Sequence, residues 1–135
     1  MAYKIEEIEG IGPANAEKLA KAEIATTDDL LKLCAGKKGR DDASGKTGVG
    51  AGQLLKWANM ADLMRIKGVA GEYAELLKMS GVDTVKELRT RNADNLATKM
   101  AEINAEKNLT RQVPTAASIT KWIEEAKTME PCITH

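Results

Sequence analysis

The sequence has little aromatic character, no phenylalanine and no excess of either charge. Aromatic residues make up 3% of its 135 positions, with Phe 0, whereas a platform that stacks single-stranded bases needs several exposed rings. Lys+Arg 20 are balanced by Asp+Glu 20, and the net charge is +0. This balance excludes a protein that grips nucleic acid over its whole surface, and it also excludes an acidic tail or a polybasic membrane anchor.

Long apolar runs are also missing. No run approaches the roughly 20 residues that span a bilayer. The first ten residues, MAYKIEEIEG, lack the charged and apolar regions of a signal peptide. We therefore expect a cytoplasmic protein with no membrane partner.

Cysteine and histidine are too rare for most site chemistry. Cys34 and Cys132 are the only thiols and His135, the last residue, is the only histidine. Two cysteines are too few for a disulfide scaffold, and the Cys132–His135 pair lacks the further ligands that a metal site needs. Histidine-dependent acid–base or nucleophilic catalysis has no candidate residue. The sequence thus predicts no metal site and a protein that is not an enzyme.

What the sequence does contain is an internal repeat. Residues 8–30 align without gaps on residues 66–88, with one glycine, one threonine and two leucines recurring at the same positions. A gapless match that keeps the glycine of the turn in place indicates a duplication. We predict two pseudo-repeats, Met1–Asp62 and Leu63–His135, around one shared core.

The spacing of apolar residues is helical wherever it is readable, and no stretch alternates with period two. Helices are predicted over residues 13–20, 53–64, 72–79 and 95–104, and from Pro114 onward. Two more are predicted to start at Thr27 and after a cap at either Thr84 or Asp83. Trp57 and Trp122 occupy equivalent places in the two halves, in phase with leucine and isoleucine, so we expect both in the core. The predicted fold is all-α, packed as one compact helical domain.

Glycine is concentrated between Gly36 and Gly52, where six glycines disfavour a long helix. We predict a loop with a short helical turn in its middle. Its basic residues, Lys37, Lys38, Arg40 and Lys46, form either a phosphate-contacting arm or a solvated loop. The Gly-Lys-Thr triplet that begins at Gly45 is not a nucleotide-binding P-loop, since Arg40 stands where that motif needs glycine.

A glycine-containing turn opens each half. In the first glycine turn, Ile8–Ala14, Gly10 and Gly12 permit positive φ angles and a tight reversal. The helix that follows begins with outward backbone N–H groups, which attract phosphate oxygens without any side-chain charge. The pattern resembles the helix-hairpin-helix family, whose hairpins hold the DNA backbone without reading its sequence.

This resemblance implies that the backbone of Gly10, Ile11, Gly12 and Ala14 contacts phosphate, with Lys18 as a basic helper. In that family the hairpin carbonyls sometimes bind a monovalent cation, and the resemblance implies no other cofactor. The expected fold then becomes tandem helix-hairpin-helix pseudo-repeats.

The second glycine turn, Ile66–Glu72, departs from this pattern. Ala70 replaces the second glycine and Gly71 follows one position later, so the tight turn is less well specified. Its flanks are more basic than those of the first turn. The candidate contacts here are Gly68, Val69 and Gly71 with the basic residues Arg65, Lys67 and Lys78.

The chain as a whole resembles a bacterial family known only as a domain of unknown function, built around such hairpins. The matching segments are GIGPANAEKLAKAEIATTDDLL, WANMADLMRIKGVAGEYAELLKMSGVDTVKEL and PTAASITKWIEEAK. The resemblance implies the fold and says little about function.

Two functions remain open. The first is a non-catalytic module that binds nucleic-acid phosphate weakly and without sequence preference, although acids that repel phosphate flank the first glycine turn: Glu6, Glu7, Glu9 and Glu17. The second is a protein-interaction or assembly module, because hairpins of this kind also serve as packing and docking units. An apolar patch near Leu31, Leu33 and Cys34, or on the last helix, would favour the second.

Overall fold

A computed structural model describes residues 3–134, and within that range all regular secondary structure is helical. A short 3-10 helix, Ile5–Glu7, precedes eight α-helices. These are α1 (Gly12–Ala20), α2 (Thr27–Cys34), α3 (Lys37–Thr47), α4 (Ala51–Leu63), α5 (Gly71–Met79), α6 (Val85–Leu88), α7 (Ala93–Lys107) and α8 (Ala116–Lys127). The all-α prediction is therefore confirmed.

Equivalent positions of the two halves make equivalent backbone hydrogen bonds. The Ile24 amide donates to the Leu19 carbonyl at 3.1 Å, and the Val82 amide donates to the Leu77 carbonyl at 2.9 Å. Each bond closes the corner between two helices, α1 and α2 in one half and α5 and α6 in the other. The first two helices of each half are therefore joined by a corner of the same kind.

One hydrophobic core runs through both halves. Buried apolar residues from α1, α2 and α4 join those from α5, α6, α7 and α8 in a single cluster. Trp57 and Trp122 belong to it, with 4% and 6% of their surfaces exposed, so the prediction that both tryptophans are core residues is confirmed. Helix α4 packs against α2, α3 and α5, and therefore connects the halves.

The prediction of a loop between Gly36 and Gly52 is wrong, because α3 fills most of this segment. Gly36 precedes the helix in extended conformation, and Gly48 ends it with a φ of +78°. In the middle, Gly39 lies against the Leu33 carbonyl, where an added Cβ would overlap the oxygen. The glycines therefore allow close packing and a helix end, which outweigh their low helix propensity.

Arg40, unlike the exposed lysines of this segment, is a buried structural residue. It is 3% exposed, and its guanidinium donates to the carbonyls of Cys34 at 3.0 Å, Ala35 at 2.8 Å and Thr134 at 2.7 Å. A guanidinium needs such partners when it is buried. Neither alternative predicted for this segment, the phosphate-contacting arm or the solvated loop, describes Arg40.

The start of α2 supplies a prediction about acid stability. The Asp29 carboxylate accepts the amides of Ala25 at 3.0 Å and Thr26 at 3.1 Å, and the Asp29 amide donates to the Thr26 hydroxyl at 3.1 Å. These hydrogen bonds, the one from the Ala25 amide first, lower the pKa of Asp29 below its ordinary value of 3.8.

A carboxylate with a lowered folded-state pKa stabilises the protein above its unfolded pKa, and that contribution is lost as pH falls below about 4. We expect Asp29→Asn to cost about 1 kcal/mol at pH 7 and much less at pH 3. Denaturant unfolding at both values measures this, with the neighbouring exposed Asp28→Asn as control. An equal loss for Asp29→Asn at pH 7 and pH 3 would contradict the assignment.

Candidate functional site

The first glycine turn has the tight geometry expected from its glycines. Gly10 and Gly12 have φ angles of +91° and +65°, a region that residues with a Cβ rarely adopt. The Ile11 side chain is buried, and its amide donates to the Ile8 carbonyl at 3.3 Å. Ile11 is therefore engaged inside the turn, and we leave its amide out of the binding site.

The amides of Gly10, Gly12 and Ala14 differ from the Ile11 amide. All three residues are exposed, and the hydrogen bonds formed within residues 3–134 include none donated by these amides. Pro13 between them has no N–H to satisfy. The start of α1 thus presents free backbone donors with the positive end of the helix dipole.

The second glycine turn differs from the first in its surroundings. Gly68 repeats the φ angle of Gly10, at +92°, and the Val69 amide donates to the Ile66 carbonyl at 3.1 Å. The Lys67 amide donates to Oε2 of Glu125 at 3.2 Å, and Gly68, Ala70 and Gly71 line a cleft with four glutamates, so acidic side chains surround this turn. Of its candidate residues, Lys67 keeps an exposed side chain.

Two further candidates of the second turn have structural partners. Gly71 is buried against the 3-10 helix, where an added Cβ would overlap the Glu7 carbonyl oxygen. Arg65 donates to the buried Asp62 carboxylate at 2.7 Å and to the Glu130 carbonyl at 3.1 Å. Together with Val69, these residues hold the fold together, and we leave them out of the site.

Lys18 and Lys78, predicted from different halves, meet in one cleft. This lysine cleft has a volume of about 610 Å³ and is bounded by the first glycine turn, α1, α4 and α5. Lys56 of α4 and Gly10 of the first glycine turn also line it. The ion pairs found within residues 3–134 involve other basic side chains, so these three lysines are not neutralised by a paired acid.

Two of the four acids that flank the first turn lie in a different cleft. This second cleft, of about 550 Å³, is lined by four glutamates: Glu6, Glu7, Glu9 and Glu72. Glu9 also lines the lysine cleft, together with Glu75. Folding therefore separates Glu6 and Glu7 from the lysines, which sequence proximity did not reveal.

The patch that would favour protein docking is largely buried. Leu31 and Cys34 are 8% and 0% exposed, and the apolar face of α8 is also buried: Ile119, Trp122, Ile123 and Ala126. Within residues 3–134, the exposed large hydrophobic side chains are Leu33 and Met79, on α2 and α5. No continuous apolar face is evident in the described part of the chain.

The match to a known family covers both halves of the chain. The model of a domain of unknown function, DUF4332, matches residues 9–129, which contain both glycines of the first turn and all eight helices. The chain belongs to the DUF4332 family. Neither the curated proteins nor the solved structures gave a significant match.

The side chains of the described residues of this DUF4332 chain form no cluster of metal ligands, whether histidine, cysteine or acid. His135 lies outside the described residues. A monovalent cation at the first turn stays a prediction, and the Ile8 carbonyl there is already used by the Ile11 amide. No helix of the described chain is both long and apolar enough to cross a membrane.

Sequence reasoning missed Lys56 and Asn59 in this DUF4332 chain. Both lie on α4, and Asn59 is 8% exposed although it is polar. A polar residue inside the otherwise apolar run WANMA was the available signal. Its meaning depends on which helix packs there, and the sequence alone does not give that neighbour.

Proposed function

We propose that this chain is a non-catalytic module that binds the phosphate backbone of nucleic acid, and that its halves are helix-hairpin-helix units. The single observation that carries the proposal is the pairing of free amides with unpaired lysines. Gly10, at the first glycine turn, lies in the same cleft as Lys18, Lys56 and Lys78. Amides at a helix start bind phosphate oxygens, and lysines add attraction from a short distance.

The same cleft offers little for reading bases. Trp57 lines it but is 4% exposed, so its ring is not free to stack on a base. Backbone amides and ammonium groups contact phosphates, which carry no sequence information. Binding should therefore be weak, independent of sequence and strongly dependent on salt.

Protein docking has less support in this geometry. Of the apolar residues that would have formed a docking patch, Leu33 is exposed, whereas Leu31, Cys34 and the apolar face of α8 are buried. Protein partners usually bury an apolar patch rich in aromatic residues. In the test below, absence of nucleic-acid binding would favour a protein partner.

Fluorescence anisotropy with labelled duplex and single-stranded DNA tests the proposal. We expect binding at about 50 mM salt that weakens steeply by about 200 mM. Gly10→Ala and Gly12→Ala should each reduce affinity about tenfold or more, because a side chain at these φ angles displaces the amides. Gly68→Ala is the control, since it imposes similar strain, at a φ of +92°, on the turn that lies in the cleft lined by four glutamates. Its added Cβ would lie 3.4 Å from Nε1 of Trp122, so the stability of each variant is measured beside its affinity.

The salt dependence of binding shows which lysines contact phosphate. Each of Lys18→Gln, Lys56→Gln and Lys78→Gln should reduce the slope of log affinity against log salt by about 0.7–0.9. Lys86→Gln, an exposed lysine of α6 outside the cleft, should leave the slope unchanged. Absence of binding at low salt, or equal losses for Gly10→Ala and Gly68→Ala, would overturn the proposal and redirect the search to a protein partner.

A further inference from the structure

The side chain of Trp57 on α4 combines deep burial with a polar atom that has no partner in the protein. The residue is 4% exposed, and the hydrogen bonds within residues 3–134 include none donated by its Nε1. A buried tryptophan usually gives its N–H to an acceptor, because an unsatisfied donor costs stability. The described chain supplies no acceptor for this one.

The indole N–H of Trp57 is nevertheless within reach of solvent. Within residues 3–134, one side-chain nitrogen or oxygen is both sealed from solvent and without a hydrogen-bond partner, and it is Oδ1 of Asn59. Nε1 of Trp57 also lacks a partner, so it must belong to the small part of the side chain that is exposed. Trp57 lines the lysine cleft, which is therefore where a ligand can reach this donor.

The equivalent tryptophan of the second half has no such space beside its glycine turn. A Cβ added to Gly68 would lie 3.4 Å from Nε1 of Trp122, so that indole and that turn are nearly in contact. A Cβ added to Gly10 would meet nothing within 4 Å, and the lysine cleft of about 610 Å³ is lined by both Gly10 and Trp57. The first half thus keeps a space between its turn and its tryptophan, with a free donor at each.

We propose that Trp57 is a ligand-binding residue, whose indole N–H faces the lysine cleft and donates a hydrogen bond to a phosphate oxygen. The inference rests on the proposed function, because this phosphate is the one that the first glycine turn and the lysines attract. An indole N–H only donates and an ionised phosphate oxygen only accepts, so the two groups match. Hydrogen bonds to charged acceptors are the strong ones, and this one should contribute measurably to affinity.

The acids of the cleft do not take this donor. Glu9 and Glu75 line the cleft, but the carboxylates that accept hydrogen bonds within residues 3–134 are others. Three lysines line the same cleft, so its charge favours an anion over a cation as the ligand. The ring of Trp57 stays packed in the core, and its N–H edge alone takes part, which differs from the stacking of a base on an exposed ring.

The two indole N–H signals in a nitrogen–proton NMR spectrum test the assignment in the unmodified protein. Trp122 is the other tryptophan of the chain and serves as the internal control. Titration with inorganic phosphate should move the Trp57 proton downfield, because donation to an anion deshields it, and should slow its exchange with deuterated water. Sodium chloride at equal ionic strength should do neither. An unmoved Trp57 signal, or equal responses from Trp122 or to chloride, would overturn the assignment.

Two oligothymidines, with and without a 5′-phosphate, distinguish the sources of the phosphate. Equal shifts at Trp57 identify a backbone phosphodiester, a shift only with the phosphorylated strand identifies a terminal phosphate, and both support the assignment. Shifts at the Gly10 and Gly12 amides with an unmoved Trp57 signal would remove Trp57 from the site and keep the proposed function. A Trp57 response to inorganic phosphate without any strand binding would do the reverse.

Trp57→Phe and Trp122→Phe give an independent check. Each variant loses an indole N–H and keeps an aromatic ring in the core, so both should lower the thermal unfolding midpoint through lost packing. Trp57→Phe alone should weaken oligothymidine binding by the folded protein about tenfold, the effect of one hydrogen bond to a charged group. Equal affinities of the two variants would show that Trp57 has a packing role only.

Discussion

Replacing Asp62 by alanine is expected to destabilise the protein by about 3 kcal/mol, the lower end of the usual cost of breaking a buried ion pair by removing one partner, because the Arg65 side chain left behind is 25% exposed. Asp62 is 1% exposed. One carboxylate oxygen accepts from the Arg65 guanidinium at 2.7 Å, and the other accepts from the Val85 amide at 2.8 Å. Alanine would leave both donors without their partner, one of them at the first residue of α6.

Denaturant unfolding at neutral pH measures this loss. The matched control is Glu87→Ala, which breaks the exposed pair between Glu87 and Arg91 in the same half of the chain. Exposed pairs contribute about 0–1 kcal/mol, so the two variants should differ by about 2 kcal/mol or more. Similar losses in both would mean that Asp62 does not join α4 to α6 in the way its hydrogen bonds indicate.

The spacing of apolar residues along the sequence was sufficient to predict most helices. The helix predicted over 72–79 is α5, Gly71–Met79, and that predicted over 95–104 is the centre of α7, Ala93–Lys107. Helical spacing of apolar residues is a property of neighbours in sequence, so it is readable without the fold. The ends of α7 lie beyond the prediction because its outer turns are mostly exposed and carry little apolar signal.

Helix α3 was not predictable in the same way. Its sequence, KKGRDDASGKT, is polar and contains two glycines, so propensity and periodicity both disfavour a helix. Its buried residue Arg40 binds carbonyls of α2, of the following residue and of Thr134, which is distant in sequence. Tertiary contacts of this kind override propensity, and a single sequence does not show them.

The candidate site, like the helices, could be predicted from the sequence only in part. Gly10 and Gly12 could be predicted because only glycine readily adopts the φ angles of the turn. The meeting of Lys18, Lys56 and Lys78 depends on how α4 packs against α5 across the two halves. Their residue types were visible, but their shared cleft follows from the packing of distant segments.

The two glycine turns have similar backbone geometry in different surroundings. Their glycines at the turn have nearly the same φ, +91° and +92°. The first turn borders the lysine cleft, whereas the second borders the cleft lined by four glutamates and its Lys67 amide donates to Glu125. The proposed phosphate site is therefore at the first turn, because the side chains around the second are acidic.

Gly71→Ala is expected to destabilise the protein by about 1–3 kcal/mol, as overpacking of a filled interior does, without changing the affinity of the folded protein for DNA. An added Cβ would overlap the Glu7 carbonyl oxygen, which is backbone and cannot rotate away as a side chain does. To relieve the overlap, α5 and the 3-10 helix would have to separate.

Gly45→Ala on α3 is the control for this variant, since nothing lies within 4 Å of the added Cβ. It should stabilise the protein by about 0.5–1 kcal/mol through helix propensity alone. Unfolding curves and DNA anisotropy on both variants separate packing from binding. If Gly71→Ala kept full stability and lost DNA binding, Gly71 would belong to the phosphate site, and the second turn would have to bind phosphate despite the acidic side chains around it.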